Sequence, residues 1–181
     1  KDRGDEVPPT SSPRSNSFKS IDQPAESAGP KERTGAVAFR GQYEHSLDSK
    51  DRLTVPAKFR EALAEGVVLS KGPDTCLWMM TEQAFQEMED QYIKPHSPFG
   101  GDARKLRRLF NSSADEGELD SAGRVRIPGH LIESAGLNGA CAVIGAGDYI
   151  EIWGDQAWQK EKQRLDGEFS EIAEGLSGAP Q

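Results

Sequence analysis

Two short motifs of the same form, an aspartate followed four positions later by an arginine, contain the residues with the clearest chemical potential. One motif spans residues 48–52 and the other spans residues 120–124. An arginine fork can bind the O6 and N7 atoms of guanine, and a lysine attracts phosphate as a point charge. The predicted DNA contacts are the basic residues within and beside these motifs: Lys50, Arg52, Arg124 and Arg126.

The aspartates of the motifs, Asp48 and Asp120, are expected to brace tight turns. An aspartate in a turn accepts hydrogen bonds from the backbone N–H groups that follow it, and it can also pair with the arginine four positions on. The same pairing gives Arg52 and Arg124 a second interpretation, in which they stabilise the turns and do not contact DNA. A catalytic aspartate pair is disfavoured, because the nearby arginines would keep both carboxylates ionised and unsuited to general acid chemistry.

The motifs belong to a longer internal repeat. Residues 47–56 are LDSKDRLTVP and residues 119–128 are LDSAGRVRIP, at an offset of 72 positions. A second match, between residues 83–86 and 156–159, follows at an offset of 73. This agreement indicates a duplication, so that one supersecondary unit occurs twice in the chain.

Each copy predicts the same order of short elements. Apolar and polar residues alternate after each turn, at Leu53 and Val55 and again at Val125 and Ile127, as in a half-buried strand. The proline that follows ends the strand and suits the first turn of a short helix. The predicted strands are residues 41–47, 52–55, 67–70 and 76–80, then 117–119, 124–127, 141–144 and 149–153.

Longer helices are expected to end the two copies, beginning at Thr81 and at Asp155. Their apolar faces would carry two sets of residues: Phe85, Met88 and Tyr92, then Trp158, Leu165 and Phe169. A further helix after Asp102 would carry a basic cluster at residues 104–108. This cluster is expected to form a solvated helix face or a contact between subunits, in preference to a DNA-binding site. The glycine-rich residues 145–148 are predicted to form a tight turn between strands.

The distribution of charge favours DNA more than the net charge of −8 does. Residues 39–60 and 104–126 each have a net charge of +2, whereas residues 61–103 and 127–181 each have −6. The chain therefore combines two basic segments, which can attract phosphate, with acidic surroundings.

Several classes of protein are disfavoured by composition. Residues 1–37 are rich in Pro, Ser and charge and are expected to form a disordered N-terminal extension. No membrane span or signal peptide is evident, and Cys76 and Cys141 lie in apolar runs typical of a reduced cytoplasmic protein. The three histidines have no metal-ligand spacing, so we expect no metal, no cofactor, no small-molecule substrate and no enzymatic activity.

The motifs and the strings around them resemble the MraZ family. The resemblance rests on residues 39–41, 45–60, 119–124 and 150–153, and it covers roughly residues 38–165. It implies an α+β fold: a duplicated AbrB/SpoVT-like, double swapped-hairpin β-barrel module with short helices. The first turn departs from the family pattern, since Asp51 stands where glycine is usual.

The resemblance also implies a function. Members of the family assemble into homo-oligomeric rings and bind short direct repeats in promoter DNA upstream of the division and cell-wall gene cluster. The expected protein is therefore a cytoplasmic, nucleoid-associated transcriptional regulator that binds double-stranded DNA and no membrane. The alternative is an AbrB-like antitoxin or protein-interaction module, in which the helix after Asp155 binds a partner.

The expected domain division follows the repeat. The boundaries are a disordered extension at 1–37, a first AbrB-like repeat at 38–94, a helical connector at 95–113, a second AbrB-like repeat at 114–165, and a C-terminal helix end and tail at 166–181.

Overall fold

The computed structural model describes residues 38–177 of the 181-residue chain. The predicted disordered extension at 1–37 lies outside the described residues, as do the last four residues of the predicted C-terminal tail. The described part combines eight strands with five α-helices.

The strands and helices alternate in the same order in both halves. In the first half these are β1 (Phe39–Ser46), β2 (Arg52–Thr54), α1 (Ala57–Arg60), β3 (Val67–Lys71), β4 (Cys76–Met80) and α2 (Glu82–Met88), which continues as a π-helical turn (Glu89–Ile93). A connecting helix α3 (Gly101–Ser112) follows. In the second half these are β5 (Asp115–Gly117), β6 (Arg124–Arg126), α4 (Gly129–Ser134), β7 (Ala140–Gly147), β8 (Ile150–Gly154) and α5 (Asp155–Ser177).

The two halves exchange strands. Six strands form one antiparallel sheet in the order β1-β7-β8-β4-β3-β5, and β2 pairs with β6 in a separate two-stranded ribbon. The first strand of each half therefore pairs with the third strand of the other half: β1 with β7, and β5 with β3. This order is symmetric about the β8–β4 pair, so the sequence repeat becomes a pseudo-two-fold arrangement in space.

The core lies beneath the ribbon and the sheet. Leu53 and Val55 from the first half and Val125 and Ile127 from the second are fully buried, whereas Arg126 between the last two is exposed. This is the predicted period of two, with one face of each strand in the core. A smaller buried group lies under the start of α5, where the rings of Trp153 and Trp158 pack 5.9 Å apart.

The α+β class is confirmed by these mixed elements and by the antiparallel sheet, but the expected closed barrel does not form among the described residues. The six-stranded sheet ends at β1 on one side and at β5 on the other. The strands β2 and β6 have three residues each and pair only with each other in register, which leaves them as a ribbon outside the large sheet.

The predicted tight turn at residues 145–148 forms between β7 and β8 one position later, closed by the hydrogen bond from the Ala146 N–H to the Tyr149 carbonyl oxygen at 2.9 Å. Gly145 pairs with Gly41 of β1, and a Cβ atom at position 145 would lie 2.4 Å from the backbone nitrogen of Arg40. Glycine at position 145 therefore serves the close approach of two strands, and the turn centres on residues 147 and 148, with φ of 89° at Gly147.

The expected apolar faces of the long helices are only partly buried. Thr81 caps α2 as predicted, accepting a hydrogen bond from the Ala84 N–H at 3.1 Å. Trp158 is buried, but Leu165 and Phe169 are exposed because α5 contacts the sheet mainly through β7 and β8 and extends beyond it. The predicted apolar face of α5 is therefore buried only in its first turns.

The strand exchange predicts that neither half folds as a monomer. Separate fragments covering residues 38–100 and 101–181 should each lack cooperative unfolding when monomeric, because each lacks the strands that cover its core. A 1:1 mixture should recover the β-sheet signal in circular dichroism, with the mass of one complex by light scattering. A folded monomeric fragment would contradict the exchanged topology.

Candidate nucleic-acid interface

Asp48 organises the first turn through both of its carboxylate oxygens. Its Oδ1 atom accepts hydrogen bonds from the backbone N–H groups of Lys50 and Arg52, at 2.9 and 3.0 Å. Its Oδ2 atom accepts from Nε and Nη2 of Arg52, at 2.8 and 2.7 Å. The backbone closes the same loop, since the Asp51 N–H donates to the Asp48 carbonyl oxygen at 3.0 Å.

The second turn repeats this geometry. Oδ1 of Asp120 accepts from the N–H groups of Ala122 and Arg124, both at 3.0 Å. Its Oδ2 atom accepts from Nε and Nη2 of Arg124, at 2.8 and 2.7 Å. The residue just before the arginine of each motif has a left-handed backbone, with φ of 59° at Asp51 and 73° at Gly123.

The ribbon brings the two turns together. Val55 donates its N–H to the carbonyl oxygen of Gly123 at 2.9 Å, and Ile127 donates to that of Asp51 at 2.8 Å. Each arginine then reaches the aspartate of the other copy. Nη1 of Arg52 lies 3.6 Å from Oδ2 of Asp120, and Nη1 of Arg124 lies 3.8 Å from Oδ2 of Asp48.

These four side chains form a compact charge cluster, which we call the turn cluster: Asp48, Arg52, Asp120 and Arg124. The side-chain hydrogen bond from Arg52 holds the pKa of Asp48 well below its usual range. The corresponding bond from Arg124 lowers the pKa of Asp120 to about 2, and in return Asp120 raises the pKa of Arg124. Both carboxylates therefore stay ionised at neutral pH and offset the arginine charges locally.

The predicted DNA contacts divide into two kinds by environment. Arg52 and Arg124 are held in the turn cluster, with 27% and 32% of their side chains exposed. Lys50 and Arg126 are exposed. Arg126 lies directly opposite Arg52 in the ribbon, so the ribbon has cations on both strands. All four residues thus lie in or beside one ribbon, although only two are free of the turn cluster.

Comparison with known proteins identifies the relatives of this chain. A family described as "MraZ protein, putative antitoxin-like" matches twice, over residues 38–109 and 110–177. The chain belongs to the MraZ family. It is 38% identical over 138 residues to a transcriptional regulator MraZ from Heliobacterium modesticaldum, covering 76% of this chain and 96% of that one. It is 41% identical over 136 residues to another from Caldanaerobacter subterraneus subsp. tengcongensis, covering 75% and 94%. The resemblance found from the two motifs is thereby confirmed.

Within this MraZ-family chain, the basic cluster at residues 104–108 is tied in part to the preceding loop. Nη2 of Arg107 donates to the carbonyl oxygen of His96 at 3.2 Å, and Nη1 of Arg104 donates to that of Phe99 at 2.7 Å. The cluster lies on α3, whereas the predicted DNA contacts lie on the β2–β6 ribbon.

Arg60 has a positioning role that the motifs did not reveal. Its Nε atom donates to the carbonyl oxygen of Val55 at 2.8 Å, and a Cβ atom at position 123 would lie 2.4 Å from that same Nε. The second turn therefore needs Gly123, while the first turn accepts Asp51. The sequence contains one indication of this difference between the turns, because the residue of the second copy that corresponds to Arg60 is Ile132.

Two further observations concern sites of other kinds. In the described range 38–177, no group of three or more His, Cys, Asp or Glu side chains is arranged to hold a metal ion. No helix of that range is both long enough and apolar enough to cross a membrane.

The depressed carboxyl pKa values predict acid sensitivity. An Asp whose pKa is lower in the folded than in the unfolded protein stabilises the fold above its unfolded pKa, ordinarily about 3.8 for Asp120, and loses this effect as the pH falls through about 2. The melting temperature should therefore fall between pH 5 and pH 2. In an Asp48→Asn/Asp120→Asn variant the melting temperature should be several degrees lower than that of the wild type at pH 6. Between pH 5 and pH 2 it should fall less than the wild-type melting temperature does.

Asp51→Asn is the matched control for this measurement, since it removes a carboxylate from the first turn but none of the turn-bracing acceptors. It should keep the melting temperature at pH 6 and the steep loss below pH 4. An unchanged pH profile in the double variant would show that the turn cluster does not contribute to acid sensitivity.

The contact between Arg60 and Gly123 predicts that the two turns are not interchangeable. Gly123→Asp should lower the free energy of unfolding by about 2 to 4 kcal/mol, because it adds left-handed strain and displaces Arg60 from Val55. Asp51→Gly should change it by less than about 1 kcal/mol, because glycine tolerates the same φ. Urea unfolding of both variants measures the difference, and equal effects would contradict this role of Arg60.

Proposed function

We propose that this protein is a sequence-specific DNA-binding transcriptional regulator that acts as a homo-oligomeric ring. It binds short direct repeats in double-stranded DNA upstream of the division and cell-wall gene cluster. The observation that carries the proposal is the ribbon of β2 and β6, in which both turns and their cations form a single surface. The names of the two regulators to which the chain is similar support the same conclusion.

The size of the ribbon suits a nucleic-acid groove. A two-stranded antiparallel ribbon fits the major groove of B-form DNA, where base edges are distinguishable. Lys50 lies in the first turn and Arg126 lies on β6, both exposed. They are proposed to make the first contacts, Lys50 with phosphate and Arg126 with a phosphate or a guanine edge.

The pairing of like charges across the ribbon supports this role. Arg52 and Arg126 are direct antiparallel partners, an arrangement that is unfavourable unless other charges offset it. Asp48 offsets Arg52, with a distance of 2.7 Å to its Nη2 atom. A DNA phosphate would supply the corresponding negative charge for Arg126. Arg52 and Arg124 are proposed to hold the ribbon and to contact DNA through their exposed edges.

Ring assembly explains how an acidic chain binds DNA. One ribbon offers few phosphate contacts, so a single copy should bind weakly. Linked copies on a repeated operator raise the overall affinity by on the order of 100- to 10,000-fold without new contacts. Direct repeats offer the same short sequence at regular intervals, so each repeat can bind one of the successive ribbons of a ring.

We propose that the domains follow the sequence repeat. The AbrB-like repeats would cover 38–94 and 114–165, separated by a connector at 95–113, with 1–37 and 166–181 as terminal segments. The exchange of first strands between the halves supports the double swapped-hairpin description of this unit. The proposed location is the cytoplasm, in association with the nucleoid, and the proposed activity needs no cofactor, metal or catalytic residue.

An antitoxin or protein-interaction module is the second candidate, favoured by the words "antitoxin-like" in the description of the matching family. Its binding element would be the exposed part of α5, which includes Leu165 and Phe169. DNA binding and partner binding would then use different surfaces of the chain.

The DNA proposal predicts a selective effect of the exposed cations. Lys50→Ala/Arg126→Ala should weaken binding of the full chain to DNA from upstream of its own gene at least tenfold. The slope of log Kd against the logarithm of the salt concentration should also decrease by about 1 for each phosphate contact that the variant loses. Arg52→Ala/Arg124→Ala should weaken binding and also lower the melting temperature. Fluorescence anisotropy across a salt series measures the affinities.

Lys160→Ala/Lys162→Ala is the matched control, because it removes two exposed lysines of α5 without touching the ribbon. It should bind DNA as the wild type does. No binding by wild-type protein at low salt would overturn the DNA proposal and favour the interaction module. Equal losses in the control and the ribbon variant would overturn the assignment to the ribbon.

A further inference from the structure

Every large apolar side chain that remains exposed among residues 38–177 lies on one of two helical segments. The first, which we call the α3 arm, runs from α2 through α3 and exposes four of them: Tyr92, Phe99, Leu106 and Leu109. The second, the α5 arm, exposes the other four: Leu165, Phe169, Ile172 and Leu176. The strands expose none of these large side chains, so two patches on the arms await a partner.

The spacing on the α5 arm is that of a helix–helix seam. Its exposed apolar residues follow one another at intervals of four, three and four positions. This is the heptad pattern by which one helix packs along another. Phe169 and Leu176 are 73% and 75% exposed, so the seam is unfilled within a single chain.

Charge selects the partner of this seam. From Leu165 to Ser177 the helix carries four carboxylates and no Lys or Arg: Asp166, Glu168, Glu171 and Glu174. Two such helices side by side would repel each other. On α3, by contrast, four basic residues face a single acid, Asp102. Lys105 and Arg108 are exposed there beside Leu106 and Leu109. An apolar stripe with acidic flanks thus matches an apolar stripe with basic flanks.

The fold places the two arms on opposite halves of the sheet. Helix α5, which carries the α5 arm, contacts β7 and β8, while the α3 arm contacts β3 through α2. In the strand order, β7 and β8 lie on one side of the pseudo-two-fold and β3 lies on the other. One such contact between unlike arms of two copies leaves one free arm at each end of the pair. Such a head-to-tail contact repeats, and it closes into a ring when the rotation allows.

We propose that the α5 arm of one copy docks on the α3 arm of the next copy, with the apolar stripes in contact and the acidic and basic flanks paired. This deepens the proposed ring assembly by naming the two surfaces that join its subunits. Within α3, Arg104 donates to the carbonyl oxygen of Phe99 and Arg107 to that of His96, so both of these cations are already bound to the preceding loop. Lys105 and Arg108 then face the carboxylates of the neighbouring α5.

Charge reversal on the full chain tests this contact. Lys105→Glu/Arg108→Glu makes α3 acidic, and Glu171→Lys/Glu174→Lys makes the part of α5 beyond Phe169 basic. Each variant alone should have at least a twofold lower average mass than the wild type by light scattering at low salt, without DNA. A chain with all four changes should recover the wild-type mass. So should a 1:1 mixture of the two variants, because a junction between one variant and the other joins opposite charges.

Glu61→Lys/Glu65→Lys is the matched control, since it reverses two exposed acids that lie on neither arm, and it should assemble as the wild type does. Circular dichroism should show each variant folded. For a variant that fails to fold, the apolar change Phe169→Ser takes its place, with the same loss of mass expected.

Wild-type mass retained by the α3 variant would overturn the inference and leave pairing between two α5 arms, because that pairing does not involve α3. A monomeric wild type would overturn both this contact and the proposed ring. Loss and recovery of assembly as described, in a protein that binds no promoter DNA, would support the contact and reject the proposed function.

Discussion

The antiparallel pairing of each half's first strand with the third strand of the other half is the constraint on which the rest of the structure depends. It joins β1 to β7 and β5 to β3, and it forces β2 and β6 to meet at the pseudo-two-fold. The core is then shared, since Leu53 and Val125 lie in one cluster with residues of both halves. The duplication therefore produced one interdependent folding unit and not two independently folded domains.

The meeting of β2 and β6 also decides the electrostatics of the ribbon. Each turn carries its own Asp–Arg pair, and the short distance between turns lets each arginine approach both carboxylates. The cluster as a whole is neutral, so it rigidifies the turns without concentrating unpaired charge. The exposed Lys50 and Arg126 are thereby left as the cations available to an external anion. Bracing of the turns thus falls on Arg52 and Arg124, whereas the first DNA contacts are proposed for the exposed cations.

The helical arms break the symmetry that the strands preserve. Both halves begin their last helix at the same place in the repeat, but α2 gives way to a π-helical turn and α3, whereas α5 continues for 23 residues. As a result α3 is basic and α5 is acidic towards its end. The proposed head-to-tail contact joins these unlike helices, which lie on opposite halves of the sheet.

The sequence by itself determined the duplication, the two turns, the buried alternation of Leu53 with Val55 and of Val125 with Ile127, and the family. The turns and the alternation are local features, and each of them occurs in both copies of the repeat. Only the tertiary structure decided which strands pair, that the sheet stays open, and that Gly123 faces Arg60, because these contacts join residues far apart in the chain. The fate of Leu165 and Phe169 was also beyond local pattern. Their spacing is that of a buried face, but burial depends on whether the sheet extends beneath them, and it ends before they are reached.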